Sequence, residues 1–118
     1  MPGLSVSPQG GFLLVEFEGK PILNAAIAEE TGREMRDLVS QGNGQSLVVD
    51  FSRVQLMTSS MIGEFMKLQR LCDEKGSKLI FLNLSKDLLD VLKVCRLDKV
   101  FRIASSREAI AKELAKSK

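Results

Sequence analysis

Two periodicities alternate along this chain, and their order predicts its architecture. Leu4-Ser5-Val6-Ser7 alternates apolar and polar residues like an edge strand, and Pro8-Gln9-Gly10-Gly11 reads as a turn. Residues 12–18 form a second strand, continuously apolar at first and then alternating, with Val15 and Phe17 set against Glu16 and Glu18. The two segments predict an N-terminal hairpin with a four-residue turn. Gly19-Lys20-Pro21 breaks the strand, and Asn24 then caps a helix in which Ile27, Thr31, Met35 and Leu38 recur at helical spacing. Gly32, inside that helix, costs about 1 kcal/mol relative to Ala, which points to a close approach of backbones. Gly42-Asn43-Gly44 stops the helix.

The central segments are more apolar. Leu47-Val48-Val49-Asp50-Phe51 is nearly unbroken in hydrophobicity, the pattern of a strand covered on both faces in a parallel sheet. A following helix carries Met61, Phe65, Leu68 and Cys72 on one stripe and Glu64, Lys67 and Arg70 on another, and Gly76 closes it. Residues 79–84 read as a further buried strand, after which Ser85 caps a helix with Leu88, Leu92 and Cys95 inward. Residues 100–103 read as a short strand. Ser105-Ser106-Arg107-Glu108 has the spacing of a capping box before a last helix that buries Ile110 and Leu114 and frays into Lys116-Ser117-Lys118. Strand and helix alternate after the hairpin, so the expectation is an α/β fold: a mixed, mostly parallel sheet, an N-terminal β-hairpin and four helices.

Composition narrows the function more by exclusion than by assignment. The 118 residues favour one domain over 1–118 with its core over about 12–114. A net charge of +2, scattered basic residues and the absence of Trp and Tyr argue against nucleic-acid binding. No apolar run approaches the roughly 20 residues of a membrane span, and the first residues lack a secretory pattern, so a cytoplasmic protein without membrane attachment is expected. Cys72 and Cys95 read as reduced, buried core residues. The chain has no histidine, which removes Ser-His-Asp and Cys-His catalysis and leaves two thiols as a poor metal set. Gly76-Ser77-Lys78 lacks the upstream glycine of a phosphate-binding loop. Asp50, ending a buried strand, is suited to accept hydrogen bonds from turn N–H groups. Neither enzyme chemistry nor a cofactor or metal is implied.

What remains is Thr58-Ser59-Ser60, three hydroxyls between a polar turn and an amphipathic helix. One hydroxyl suffices to cap a helix, at about 1 kcal/mol. Three in a row beside the free N–H groups of a helix start also suit a modification or contact site, because an added phosphate would sit in the favourable field of the dipole.

At these residues the chain resembles a STAS domain, the fold of the bacterial anti-sigma-factor antagonists. The strongest likeness runs from Leu47 through Ser52, Val54, Leu56 and Met57 to Thr58-Ser59-Ser60-Met61-Ile62-Gly63, against a family pattern of Asp-Ser-Ser-Gly-Leu-Gly. Leu23-Asn24, ahead of the first helix, matches a family Leu-Asp; the start of the third helix at Leu84-Ser85 and the 91–97 segment also fit. The resemblance implies a non-enzymatic signalling protein acting on transcription by partner switching. It makes Ser59 the phosphoacceptor of a serine kinase that doubles as the anti-sigma factor, with a metal-dependent serine phosphatase resetting the switch. Asn24, Thr58, Ser60, Met61 and Gly63 would form the partner-binding surface. Thr58 stands where Asp is usual and removes a carboxylate beside the acceptor. Met61 stands where Gly is usual and would add a flexible side chain to a surface that a partner touches. The alternatives are a constitutive scaffold of the same fold, or a ligand-sensing module, without phosphorylation.

Overall fold

The computed structural model describes residues 4–17, 22–42 and 45–115. The strands are β1 (Leu4–Pro8), β2 (Phe12–Phe17), β3 (Ile22–Leu23), β4 (Ser46–Asp50), β5 (Leu56–Met57), β6 (Leu79–Leu82) and β7 (Arg102–Ala104). The helices are α1 (Ala25–Gln41), α2 (Ser59–Lys75), α3 (Lys86–Val94) and α4 (Arg107–Ala115). The main sheet has the order β1-β2-β4-β6-β7, antiparallel between β1 and β2 and parallel elsewhere. This is the expected mixed sheet with its opening hairpin and four helices. Gly10 supplies the hairpin's left-handed residue at φ 64°, and Gln9 N donates to Phe12 O at 2.9 Å.

The unbroken apolarity of β4 follows from cover on both sides. Leu47 and Val49 face a large core that includes Phe17, Met35, Phe65, Leu68 and Leu92, drawn from β2 and from α1, α2 and α3. Val48, pointing the other way, joins Leu14, Ile80, Leu82 and Ala104 under Ile110 of α4. Each such side chain, fully buried, contributes about 1.5–3 kcal/mol of transfer free energy. Within the larger core, Phe51 packs against Phe17, Phe65 and Phe81 at centroid distances of 6.0, 5.5 and 4.9 Å.

Several boundaries differ from expectation for local reasons. β6 ends at Leu82 rather than at 84 because Asn83 turns into the left-handed region at φ 61°. The last strand begins at Arg102; Val100 instead lies in a turn, its N–H donating to Leu97 O at 3.0 Å. Cys72 is buried, but Cys95 is exposed. α3 stops at Val94 and Arg96 takes φ 60°, so the chain leaves the helix before its inner stripe reaches Cys95. The start of α4 is capped by Ser106, whose Oγ accepts from Ala109 N at 3.2 Å, one residue later than the Ser105–Glu108 spacing suggests. Ile110 is buried, and Leu114 packs partly buried against the α4-side core. The expected breaks at Gly19-Lys20-Pro21 and Asn43-Gly44, the strand end at Glu18 and the terminal Lys116-Ser117-Lys118 lie outside the described residues. Among the described residues, no helix is long and apolar enough to cross a membrane.

Candidate functional site

A second, two-stranded sheet that no periodicity foretold builds the site. β3 and β5 pair in parallel, Ile22 opposite Leu56 and Leu23 opposite Met57. A helix follows each strand after one residue, so this pair sets the N-termini of α1 and α2 beside one another. Thr58 N donates to Leu23 O at 2.9 Å, extending the ladder by one residue. Asn24 is exposed and caps α1, its Oδ1 accepting from Ala26 N at 3.1 Å.

Thr58 holds the cap position of α2, with extended φ and ψ of −85° and 167°, yet its side chain does not cap the helix. The half-buried hydroxyl donates instead to Leu23 O at 3.3 Å and so stitches the two helix starts together. Ser59 and Ser60, the first two residues of α2, are exposed. Neither hydroxyl has a hydrogen-bond partner among the described residues. N–H groups at such positions have no intrahelical acceptor, and the positive end of the dipole lies there. The segment thus opens to solvent at the helix start.

Asp50 does what its place at a strand end suggested. Its Oδ1 accepts from Ser52 N at 2.9 Å and from Asn83 Nδ2 at 3.3 Å, fixing the turn that leaves β4.

Met61 requires a correction. It is fully buried among the residues of the larger core, so it presents no flexible side chain to a partner. Its place on the Met61-Phe65-Leu68-Cys72 stripe carries it inward. Gly63 differs again: a Cβ built there would meet nothing within 4 Å. Ser59, Gly63 and Met66 lie four and then three residues apart, which places them on one helix face. Met66 is 40% exposed, and Leu56, just before the helix, is 50% exposed. Sequence reasoning placed neither at the surface: Leu56 figured only in the family likeness, and Met66 not at all. Met66 carried a signal, since it falls off the inward stripe of an otherwise well-patterned helix.

Behind this face, Glu64 joins α2 to α1. It is buried, although it lies on the charged stripe with Lys67 and Arg70 rather than on the apolar one. Its Oε1 accepts from Arg36 Nη1 at 2.6 Å, and its Oε2 pairs with Lys67 Nζ at 3.3 Å. Gly32 makes room for it: a Cβ there would press on Oε1 and lie 2.9 Å from Cδ. The close approach read from Gly32 is therefore to a carboxylate. Burial pushes the Glu64 carboxyl up, but hydrogen bonds from Arg36 and Lys67, with their charges, outweigh this and hold it below the ordinary value.

Among the described residues, no group of three or more acidic, Cys or His side chains is arranged to hold a metal ion.

A family model described as "Mlab, STAS domain" matches residues 22–104. Three solved structures share the fold. A STAS domain protein from Planctomyces limnophilus is 16% identical with a TM-score of 0.86, covering 96% of this chain and 98% of its own. An anti-sigma factor antagonist from Mycobacterium paratuberculosis is 16% identical with a TM-score of 0.75, covering 96% and 93%. The phosphorylated form of the Bacillus cell fate determinant SpoIIAA is 20% identical with a TM-score of 0.68, covering 93% and 98%.

Proposed function

The chain belongs to the STAS domain family, and within it we propose a phosphorylation-regulated protein-binding module of the anti-sigma-factor-antagonist kind, with Ser59 as its control point. The observation that carries this reading is the exposed, unpartnered hydroxyl of Ser59 at the first position of α2. The structural neighbour from Bacillus supports it, being a protein of this fold solved in a phosphorylated form. The partner in this reading is a serine kinase that is also an anti-sigma factor. It transfers the terminal phosphoryl group of a nucleoside triphosphate to Ser59 Oγ, which gives up its proton while the diphosphate leaves. A metal-dependent phosphatase reverses the change, and this chain itself catalyses nothing.

The physics separates folding from binding. A phosphate adds about −1.5 to −2 charges. At a helix N-terminus, negative charge is stabilising by about 0.3–1 kcal/mol, so the fold survives modification. The bound partner does not tolerate it equally, because a dianion replaces a neutral hydroxyl in a desolvated contact. A loss of about 3 kcal/mol there lowers affinity about a hundredfold. Asn24, Thr58, Ser60 and Gly63 surround the acceptor as the contact surface, with Leu56 and Met66 as its apolar anchors.

A second reading is constitutive docking on the same face. The replacement of the family's usual Asp by Thr58, whose hydroxyl is committed to Leu23 O, favours it. A Ser59→Asp variant distinguishes the two. Phosphorylation control predicts native circular dichroism and affinity for the captured partner at least tenfold weaker, with phosphate mapping to Ser59 after incubation with the kinase. Wild-type affinity in the variant, together with no phosphate on Ser59 of the wild-type chain, removes the switch and leaves the scaffold.

A further inference from the structure

The first strand of the main sheet has an open edge. β1 pairs with β2 on one side, and the sheet ends there. Gln9 N donates to Phe12 O at 2.9 Å, so Gln9 and Phe12 face each other as a hydrogen-bonded pair at the head of the hairpin. Along an antiparallel ladder such pairs alternate with pairs whose backbone groups point away from each other. The register then makes Ser7 with Leu14 and Ser5 with Glu16 the bonded pairs, and it turns the N–H and C=O of Val6 and Leu4 toward the open edge. Pro8 agrees with this alternation. It has no N–H to give, and its nitrogen falls on the outer side, where an edge strand tolerates proline.

The two residues with outward backbone groups also line a groove. About 270 Å³ of space lies between β1 and α1, lined by Leu4 and Val6 from the strand and by Glu34, Asp37 and Leu38 from the helix. Leu4 and Leu38 are half-buried against the larger core, while Val6 is 40% exposed. The charge on the helix side is all of one sign. Neither Glu34 nor Asp37 has an ion pair or hydrogen bond among the described residues. The arginines of α1 are committed elsewhere, Arg33 to Glu29 at 4.0 Å and Arg36 to Glu64 at 2.6 Å. β1 itself carries no charged side chain. The groove shares no residue with the surface around Ser59.

An unpaired edge beside an apolar groove suits strand addition, in which an extended peptide hydrogen-bonds to the edge and sends alternate side chains into the groove. We propose that β1 receives an extended basic segment of a partner protein, with an apolar side chain seated between Val6 and Leu38 and a Lys or Arg two residues away meeting Glu34 and Asp37. The outward N–H and C=O of Val6 and Leu4 set its register. A spacing of two keeps both of its side chains on the α1 side of the sheet. Charge selects the sign of the segment, since an acidic one would face two unpaired carboxylates. The same charge opposes a second copy of this chain: two-fold pairing of β1 with β1 sets one patch against itself and brings the carboxylates of both copies into one interface.

The test is titration of the ¹⁵N-labelled full chain with end-blocked peptides Thr-Lys-Thr-X-Thr-Lys-Thr, in which X is Val, Ile, Leu, Phe or Met. At least one should move the amide resonances of Val6 and Leu38 in a saturable manner while leaving those of Ser59 and Ser60 in place. Its counterpart with Glu in place of Lys should bind about tenfold or more weakly. The double variant Glu34→Gln, Asp37→Asn alters two side chains without partners, so it should keep wild-type circular dichroism and lose about fivefold in affinity. Val6→Pro removes an outward N–H without breaking a bond to β2 and should also weaken binding. Ser59→Asp should bind the peptide as wild type, which keeps this proposal separable from the reading of Ser59. Absence of a saturable shift with every peptide, equal affinity for the basic and acidic peptides, or wild-type affinity in the double variant would overturn it. So would concentration-dependent shifts at Val6 in the chain alone, accompanied by dimers in sedimentation, which would put a second copy on the edge.

Discussion

Gly63 has no reason inside its own chain to be glycine. The space where a Cβ would stand is open, and a glycine within a helix forfeits about 0.5–1 kcal/mol relative to alanine. Such a cost is understandable if something outside the chain comes close, one turn beyond Ser59. Gly63→Ala should accordingly raise stability by about 0.5–1 kcal/mol in urea unfolding and weaken capture of the partner; a variant that gains stability and binds unchanged would remove Gly63 from the contact face. Gly32 carries the same letter with the opposite consequence. A methyl group there meets a carboxylate held by two cations, so Gly32→Ala should destabilise by about 1–3 kcal/mol, the usual range for overpacking, despite alanine's better helix propensity. The sequence made the tightness at Gly32 legible and hid its neighbour, because Glu64 stands on a charged stripe with Lys67 and Arg70, away from the apolar one. Ser59 was legible for a different reason: exposure at a helix start follows directly from a strand, a polar turn and an amphipathic stripe. Met61 was misplaced because a family position was carried over to a residue whose own stripe points inward.

At the scale of elements, the junction of α1 with α2 depends on protonation. Hydrogen bonds and charge from Arg36 and Lys67 hold the Glu64 carboxyl below its ordinary value of 4.5 in the folded chain. The unfolded chain therefore takes up a proton first as pH falls. The stabilisation from this clasp is complete well above pH 4.5, declines as pH falls through that value, and is gone once pH passes below the depressed folded value. Glu64→Gln should cost about 1–3 kcal/mol at neutral pH, less than a fully buried pair, because the Lys67 head remains in water. The variant's deficit should shrink toward pH 3–4, and comparison of urea midpoints across that range measures it; a deficit independent of pH would mean that packing, not charge, links the helices. The elements easiest to read were those long enough to show a period, as in the inner stripe of α2. β3 and β5 are two residues each, too short for any alternation, and their pairing depends on a contact between segments far apart in the chain. Yet they align the two helix starts, so the part of the site hardest to read was its scaffold.

For the whole molecule, the two-sided cover of the sheet explains why its strand order could be anticipated and why its ends could not. Continuous apolar runs such as Leu47-Val48-Val49 demand helices on both faces, and alternating helices and strands supply them with parallel crossovers. Strand ends are set instead by single residues in unusual conformations, Asn83 and Arg96 among them, which hydrophobic periodicity does not register. The cover is unequal: among the described residues, α4 is the one helix over the Val48 side, while the Phe cluster on the other side joins sheet to helix. Phe51 is the hub of that cluster, its ring meeting Phe17 of β2, Phe65 of α2 and Phe81 of β6. Since α2 carries Ser59 at its tip, the packing of Phe51 also sets how firmly Ser59 is presented. Phe51→Ala should cost about 3–5 kcal/mol, a large share of the roughly 5–15 kcal/mol that stabilises a domain. Denaturant unfolding should show this as a lower midpoint with circular dichroism and hydrogen exchange of α2 moving together. Ile110→Ala, on the α4 side, should cost about 2–5 kcal/mol while leaving local exchange at Ser59 and Ser60 under native conditions unchanged. If the Ile110 variant loosened the helix start as much as the Phe51 variant does, the two sides of the sheet would act as one unit, and presentation of Ser59 would depend on overall stability rather than on the aromatic junction beneath it.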